Sequence, residues 1–285
     1  MTIAPDNRSD EQYQLDCRVL DAIDASDLTA LAAAIDAGGS VSSPSWDNDH
    51  QRTTTPLRLA HELAGDGLSS AFLVLLAERG APMGDATAHL VFEDALQMGE
   101  ASVVRAMARA GYDLGAFPGL LHRAGNLETA RTLCEDLGVS IYSRLTNGDT
   151  PLHSAIRHEM LPLAGYLLRK GADVNAKNNV LEAPLHAAAR SKNACLIGLL
   201  IEKGAGVSQP DKRGLTPLHV VDDYQVAMQL LSAGADAFAE CTKGRTPSQM
   251  GHEKTRSAIE ERAMGHALAG ARAKLGAQTE GRKRL

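Results

Sequence analysis

The 285-residue chain is poor in aromatic side chains, 4% of its residues with a single tryptophan, and its first 140 residues contain no lysine. Few aromatics leave little for stacking nucleic-acid bases, the device on which single-strand binders rely. No apolar run approaches the roughly 18 residues that a bilayer span needs. Met1 to Asp6 has neither a basic start nor an apolar core, so no Sec-type leader is expected and a cytoplasmic location follows. Cys17, Cys134, Cys195 and Cys241 are scattered without a close pair, which reads as thiols in a reducing compartment and not as a metal or disulfide framework. The catalytic signatures are missing too. There is no phosphate-cradling Gly-x-x-x-x-Gly-Lys-Ser/Thr and no Gly-x-Ser-x-Gly elbow, and His61-Glu62 and His158-Glu159 each lack the second histidine of a zinc helix. His61, His89, His122, His252 and His266 stand alone. A non-enzyme with no cofactor, metal or small-molecule substrate is the expectation.

What the chain has instead is repetition. Thr150-Pro151-Leu152-His153 returns as Ala183-Pro184-Leu185-His186 and as Thr216-Pro217-Leu218-His219, each proline 33 residues after the last. A second marker, Gly171-Ala172-Asp173, returns as Gly204-Ala205-Gly206 and, after a step of 30, as Gly234-Ala235-Asp236. Two markers in one period mean a small unit stacked on copies of itself. Thr-Pro suits a helix start, where a hydroxyl caps free N–H groups and proline is tolerated at the first position. The glycine suits a helix end that needs a left-handed residue. Apolar pairs such as Leu167-Leu168 and Leu199-Leu200 belong to a second helix whose stripe is buried only by stacking.

The period, the Thr-Pro-Leu-His turn and the Gly-Ala-Asp turn resemble the ankyrin repeat. The resemblance implies an all-α, helical-pair solenoid with short β-hairpin fingers, in which His153, His186 and His219 hydrogen-bond backbone of the next repeat. Reading the phase along the chain predicts a flexible N-terminus over 1–12, about eight units at 13–54, 55–87, 88–117, 118–149, 150–182, 183–215, 216–245 and 246–269, and a basic tail at 270–285. The last unit begins Thr246-Pro247-Ser248-Gln249, polar where a capping repeat meets solvent. Extra residues between Val41 and Thr55 predict an enlarged finger over 42–54 that holds Trp46. Too few residues between Gly111 and Leu120 predict a missing finger, and three residues missing between Val220 and Ala227 predict a short first helix in the seventh unit.

Charge is unevenly distributed. Residues 1–140 hold 21 Asp and Glu against nine Arg, a net −12, whereas residues 141–285 hold 14 acids against 20 bases, a net +6. Such a field steers encounter with a charged partner. The resemblance places binding on finger tips and the exposed side of first helices. By phase these positions include Arg144, Asn147, Arg157 and His158; Lys177, Asn179, Val180 and Arg190; Lys212, Arg213 and Leu215; and Lys243 and Arg245. Leu181 stands where the finger usually has glycine, which leaves two readings: an exposed Val180-Leu181 anchor or packing within the array. The expected function is a non-enzymatic protein-binding scaffold, monomeric when free, with a partner acidic at the contact. Its role is open among inhibitor or immunity protein, adaptor and bacterial effector acting in a host cell. Binding through the Trp46 finger, or of nucleic acid or an anionic surface through the basic C-terminal end, are the alternatives.

Overall fold

In the computed structural model the described residues are 9–47, 52–64, 69–117, 119–250, 253, 256–262 and 264–265. The chain divides into two compact units, residues 1–139 and 140–285. The fourth predicted unit, 118–149, therefore has its helical part in the first and its finger in the second.

The first unit opens with α1 (Asp10–Asp24) and α2 (Leu28–Asp36). Ser9 accepts a hydrogen bond from the Gln12 N–H to start α1, and Asp27 accepts from Thr29 and Ala30 to start α2. β1 (Ser45–Asp47) then pairs antiparallel with β2 (Arg52–Thr54), with Trp46 opposite Thr53, where the enlarged finger was expected. α3 (Pro56–Ala64) with α4 (Ala71–Glu78) and α5 (Ala86–Met98) with α6 (Ala101–Arg109) complete three helix pairs. First helices pack on first helices, α1 on α3 and α3 on α5, and second on second, α2 on α4 and α4 on α6. The apolar stripes close between them, with Leu20, Ile23, Leu31, Leu57, Leu59, Leu76, Phe92, Leu96 and Met107 fully buried. The fourth first helix shrinks to a 3-10 turn, Leu120–His122, before α7 (Leu127–Arg131) and a π-helical turn, Thr132–Asp136.

Where the sequence predicts a missing finger, an aromatic cluster fills the space. Phe92 stacks on Tyr112 at 4.2 Å, Phe117 meets Phe92 edge-on, and the Tyr112 hydroxyl lies 2.9 Å from His89 Nδ1. Burial, with Asp113 and Glu93 nearby, pushes the Tyr112 phenol above its ordinary value.

In the second unit α8 (Pro151–Arg157) pairs with α9 (Leu161–Arg169), α10 (Pro184–Ser191) with α11 (Ala194–Glu202), and a 3-10 turn at Pro217–Val220 with α12 (Tyr224–Ser232). The shortened first helix of the seventh unit is that 3-10 turn. A final 3-10 turn, Pro247–Gln249, packs on it. The stacking is again first on first and second on second. α9, α11 and α12 each end at a left-handed glycine, Gly171, Gly204 and Gly234, with φ of +95°, +86° and +91°. Its N–H and the next one turn back to the helix's last carbonyls, as with Ala172 N–H to Leu167 O at 2.9 Å. The connections between these pairs are tight turns and not paired strands; among the described residues β1 and β2 are the one strand pair. No helix among the described residues is long and apolar enough to cross a membrane.

Candidate interaction surface

Three repeats of the second unit carry the same buried histidine, His153, His186 and His219, and its two ring nitrogens have different tasks. Nδ1 accepts the backbone N–H three residues back: Thr150 to His153 at 3.2 Å, Ala183 to His186 at 3.1 Å, Thr216 to His219 at 3.1 Å. With Nδ1 an acceptor, the proton sits on Nε2. Nε2 therefore donates to a carbonyl of the next repeat: Glu182 at 3.1 Å, Leu215 at 3.0 Å and Arg245 at 3.1 Å. The expected ladder is present. Burial lowers all three histidine pKa values, against the raising effect of those carbonyls. Gln249, at the same place in the last motif, keeps half of the arrangement, its Oε1 accepting from Thr246 N–H at 3.1 Å.

The ladder spaces the turns that precede each first helix. Four tips result, around Gly148, Leu181, Gly214 and Gly244, all with positive φ. Each is closed by the same backbone bond, as in Leu145 N–H to Asp149 O and Asp211 N–H to Leu215 O. Adjacent tips are tied by one more, Asn179 N–H to Asn147 O at 3.0 Å, Lys212 N–H to Val180 O at 2.9 Å and Thr242 N–H to Arg213 O at 3.0 Å. Inside two of the turns a short side chain gathers the amides. Asn178 Oδ1 accepts from Val180 and Glu182, and Asp211 Oδ1 from Arg213 and Leu215. Cys241 occupies that position in the last turn. Hydrogen bonds from the Lys243 and Arg245 backbone, with the Arg245 charge, hold its thiol below the ordinary value against the opposing effect of burial.

Several residues expected to meet a partner are engaged within the protein. Arg157 Nη2 donates to Asp149 Oδ2 at 2.5 Å, and Asp149, fully buried, also accepts from Asn147 at 2.7 Å and Asn178 at 2.9 Å. Burial alone would raise the Asp149 pKa; the bonds from Arg157 and Asn178, the Arg157 charge and the Asn147 amide together bring it below its ordinary value. Arg190 pairs with Glu182 one period later. Arg144 Nη1 donates to Gly148 O and to Lys177 O, at 2.9 and 2.8 Å, stapling its tip to the next. Asn179 Nδ2 does the same to Thr146 O at 2.9 Å. Leu215 is a correction: it is 5% exposed, because its turn points the side chain into the stack while its backbone serves Asp211 and His186.

His158, Lys177, Val180, Lys212, Arg213, Lys243 and Arg245 are exposed, as are the half-engaged Arg144 and Arg190. Arg213 reaches back loosely to Asp211, 3.5 Å away. Of the acids at the tips, Asp149 and Asp211 are buried, Glu182 is paired with Arg190, and Glu240 is exposed. The outward charge of the tips is thus more basic than the composition of the segment. Trp46 lies in β1, but its side chain and residues 48–51 fall outside the described residues, as does the tail from 266 onward.

The internal ion pairs had a signature that spacing alone could have revealed. Asp149 and Arg157 are eight residues apart, Glu182 and Arg190 are eight apart, and the two pairs are one period apart. Among the described residues no group of three His, Cys, Asp or Glu is placed to hold a metal ion.

Residues 147–179 match the family model of the ankyrin repeat. No curated protein matches the chain.

Proposed function

The chain being an ankyrin repeat protein, we propose that it is a non-enzymatic scaffold whose partner contact lies on the turn tips of residues 144–150, 177–183, 210–216 and 240–246. Ankyrin repeats are in general protein-interaction modules. The observation that carries the finer reading is the fate of the charges: the acids of these tips are mostly buried or paired, whereas Lys177, Lys212, Arg213, Lys243 and Arg245 project outward. A row of such bases suits a protein partner with carboxylates at the contact and makes the encounter salt-sensitive. Arg157, Arg190 and Asn147 support the site by fixing the turns, and Lys212 with Arg213 is its charged centre. An inhibitor or immunity protein would form one tight 1:1 complex and an adaptor several weaker ones; a bacterial effector would find its partner in a host cell. Fold alone does not choose among these roles.

The test is Lys212→Glu with Arg213→Glu. Among the described residues the Lys212 and Arg213 side chains make no bond to another repeat, Arg213 reaching only Asp211 of its own turn, so the helical signal should stay. The complex isolated from the native source should weaken on reversal, and the wild-type complex should itself weaken as salt rises. Binding that survives these reversals but is lost on deleting residues 42–54 would move the contact to the Trp46 finger. Salt-steep binding to nucleic acid of any sequence that is lost with residues 272–285 would replace the proposal altogether.

A further inference from the structure

The second tip breaks the rule that the other three obey. Gly148, Gly214 and Gly244 occupy the left-handed position of their turns with φ of +80°, +73° and +66°; Leu181 occupies it with φ +60°. The turn itself is unchanged. Leu181 N–H still donates to Asn178 O at 2.9 Å, as Gly148 N–H does to Leu145 O and Gly214 N–H to Asp211 O. Glycine has two reasons to be there. A left-handed residue with a Cβ meets the following carbonyl oxygen. The neighbouring tip is also close: a Cβ on Gly148 would lie 2.7 Å from the Asn179 nitrogen, and one on Gly214 would lie 2.9 Å from the Thr242 nitrogen. Leu181 takes on this backbone strain and gains little burial in return, for it is 45% exposed beside Val180 at 48%. Backbone strain of this kind clusters at functional sites; Ser26, Glu159 and Lys192 take the same conformation in the links within helix pairs, whereas Leu181 takes it at an exposed tip.

Bases surround this apolar pair. Lys177 is in the same turn, and Arg144 is bonded to the Lys177 carbonyl. Lys212 is bonded through its N–H to the Val180 carbonyl, with Arg213 next to it. The one acid of the turn, Glu182, is turned back on Arg190.

We propose that Val180 and Leu181 are the apolar anchor for an acidic protein segment carrying one large apolar side chain, which seats on Leu181 while its carboxylates meet Arg144, Lys177, Lys212 and Arg213. The proposal rests on the reading that the tips are the contact surface, and adds to it which tip sets specificity and for what chemistry. Leu181 is a specificity residue kept at the expense of an easier turn, so affinity and stability pull in opposite directions at this position.

The experiment pans a library of short displayed peptides on the full-length chain and measures the enriched peptides, as synthetic probes, against wild type, Leu181→Gly, Leu181→Asn and the Lys212→Glu/Arg213→Glu variant. Glycine and asparagine both accept the left-handed turn, so both variants should melt at or above the wild-type temperature. The expected enrichment is for acidic peptides with one large apolar residue, and their affinity should fall about tenfold in both Leu181 variants, the effect of uncovering a half-exposed leucine. If the charge reversal weakens binding and the Leu181 variants do not, the anchor is wrong and the basic surface stands. Enrichment without an acidic and apolar pattern overturns both. A wild-type dimer in sedimentation that Leu181→Gly dissolves would make the occupant a second copy and overturn the assignment to a separate acidic segment.

Discussion

Replacing His186 by alanine removes a fully buried ring and with it two hydrogen bonds of unequal consequence. Leu215 O loses the Nε2 donor but keeps the Asp211 N–H at 2.8 Å, so that loss is an ordinary net bond of about 1 kcal/mol. Ala183 N–H has a different outlook. It is buried, its acceptor was Nδ1, and leaving it bare costs about 1–3 kcal/mol. The vacated ring volume adds about 1 kcal/mol in a stack that relaxes only partly. A loss of about 3–5 kcal/mol is therefore expected from urea unfolding followed by circular dichroism, with the slope checked so that a change of cooperativity is not mistaken for a change of stability. His186→Gln supplies the control, because Gln249 already shows a glutamine oxygen accepting the same backbone N–H. It should recover most of the difference, costing about 1–2 kcal/mol. A cost below about 1 kcal/mol for the alanine variant, or equal costs for alanine and glutamine, would refute the account of the histidine as a bond between repeats.

Acid should weaken the second unit early. Its three ladder histidines, His153, His186 and His219, are held neutral with pKa values below their unfolded ones, so their contribution is complete above the unfolded value near 6.5 and is lost as pH falls through it toward the folded values. Urea midpoints should drop between pH 7.5 and 5.5, and less steeply in His153→Gln/His186→Gln. Asp149, whose pKa is lowered, adds stability that is present above about pH 4 and lost below it. Arg157→Ala should cost about 1–2 kcal/mol by removing the guanidinium bonded to the buried Asp149, whereas Lys212→Ala should stay within about 0.5 kcal/mol, a contrast read in thermal melts of the protein alone. Ala183→Thr should stabilise by about 1 kcal/mol, since Thr150 and Thr216 each place a hydroxyl 2.9 Å from the Nδ1 that Ala183 leaves with one donor; a lower melting temperature would mean the pocket is too tight.

The period of 33, the prolines, the histidines and the closing glycines set the helix pairs of the second unit because each marks a local backbone event: a helix start, a cap, a left-handed stop. Such events depend on a few adjacent residues, so they were legible along the chain, as were the short helix at Pro217–Val220 and the gap before Leu120. What filled that gap was not, because Phe92, Tyr112 and Phe117 meet only once α5 and the following turn are folded against each other. The same limit applied to the interaction surface. Phase placed Arg157, Arg190 and Leu215 on the outer positions, but whether an outer side chain is left free, is bonded within the protein or is turned inward depends on the tip beside it. Asp149 and Glu182 claimed the two arginines, and the turn around Asp211 carried Leu215 inward. Leu181 shows both halves of the lesson. That a leucine stands in a glycine's place is plain from the period, a property of adjacent residues; that the turn closes in spite of it, with the side chain left half in solvent, depends on the fold of the tip.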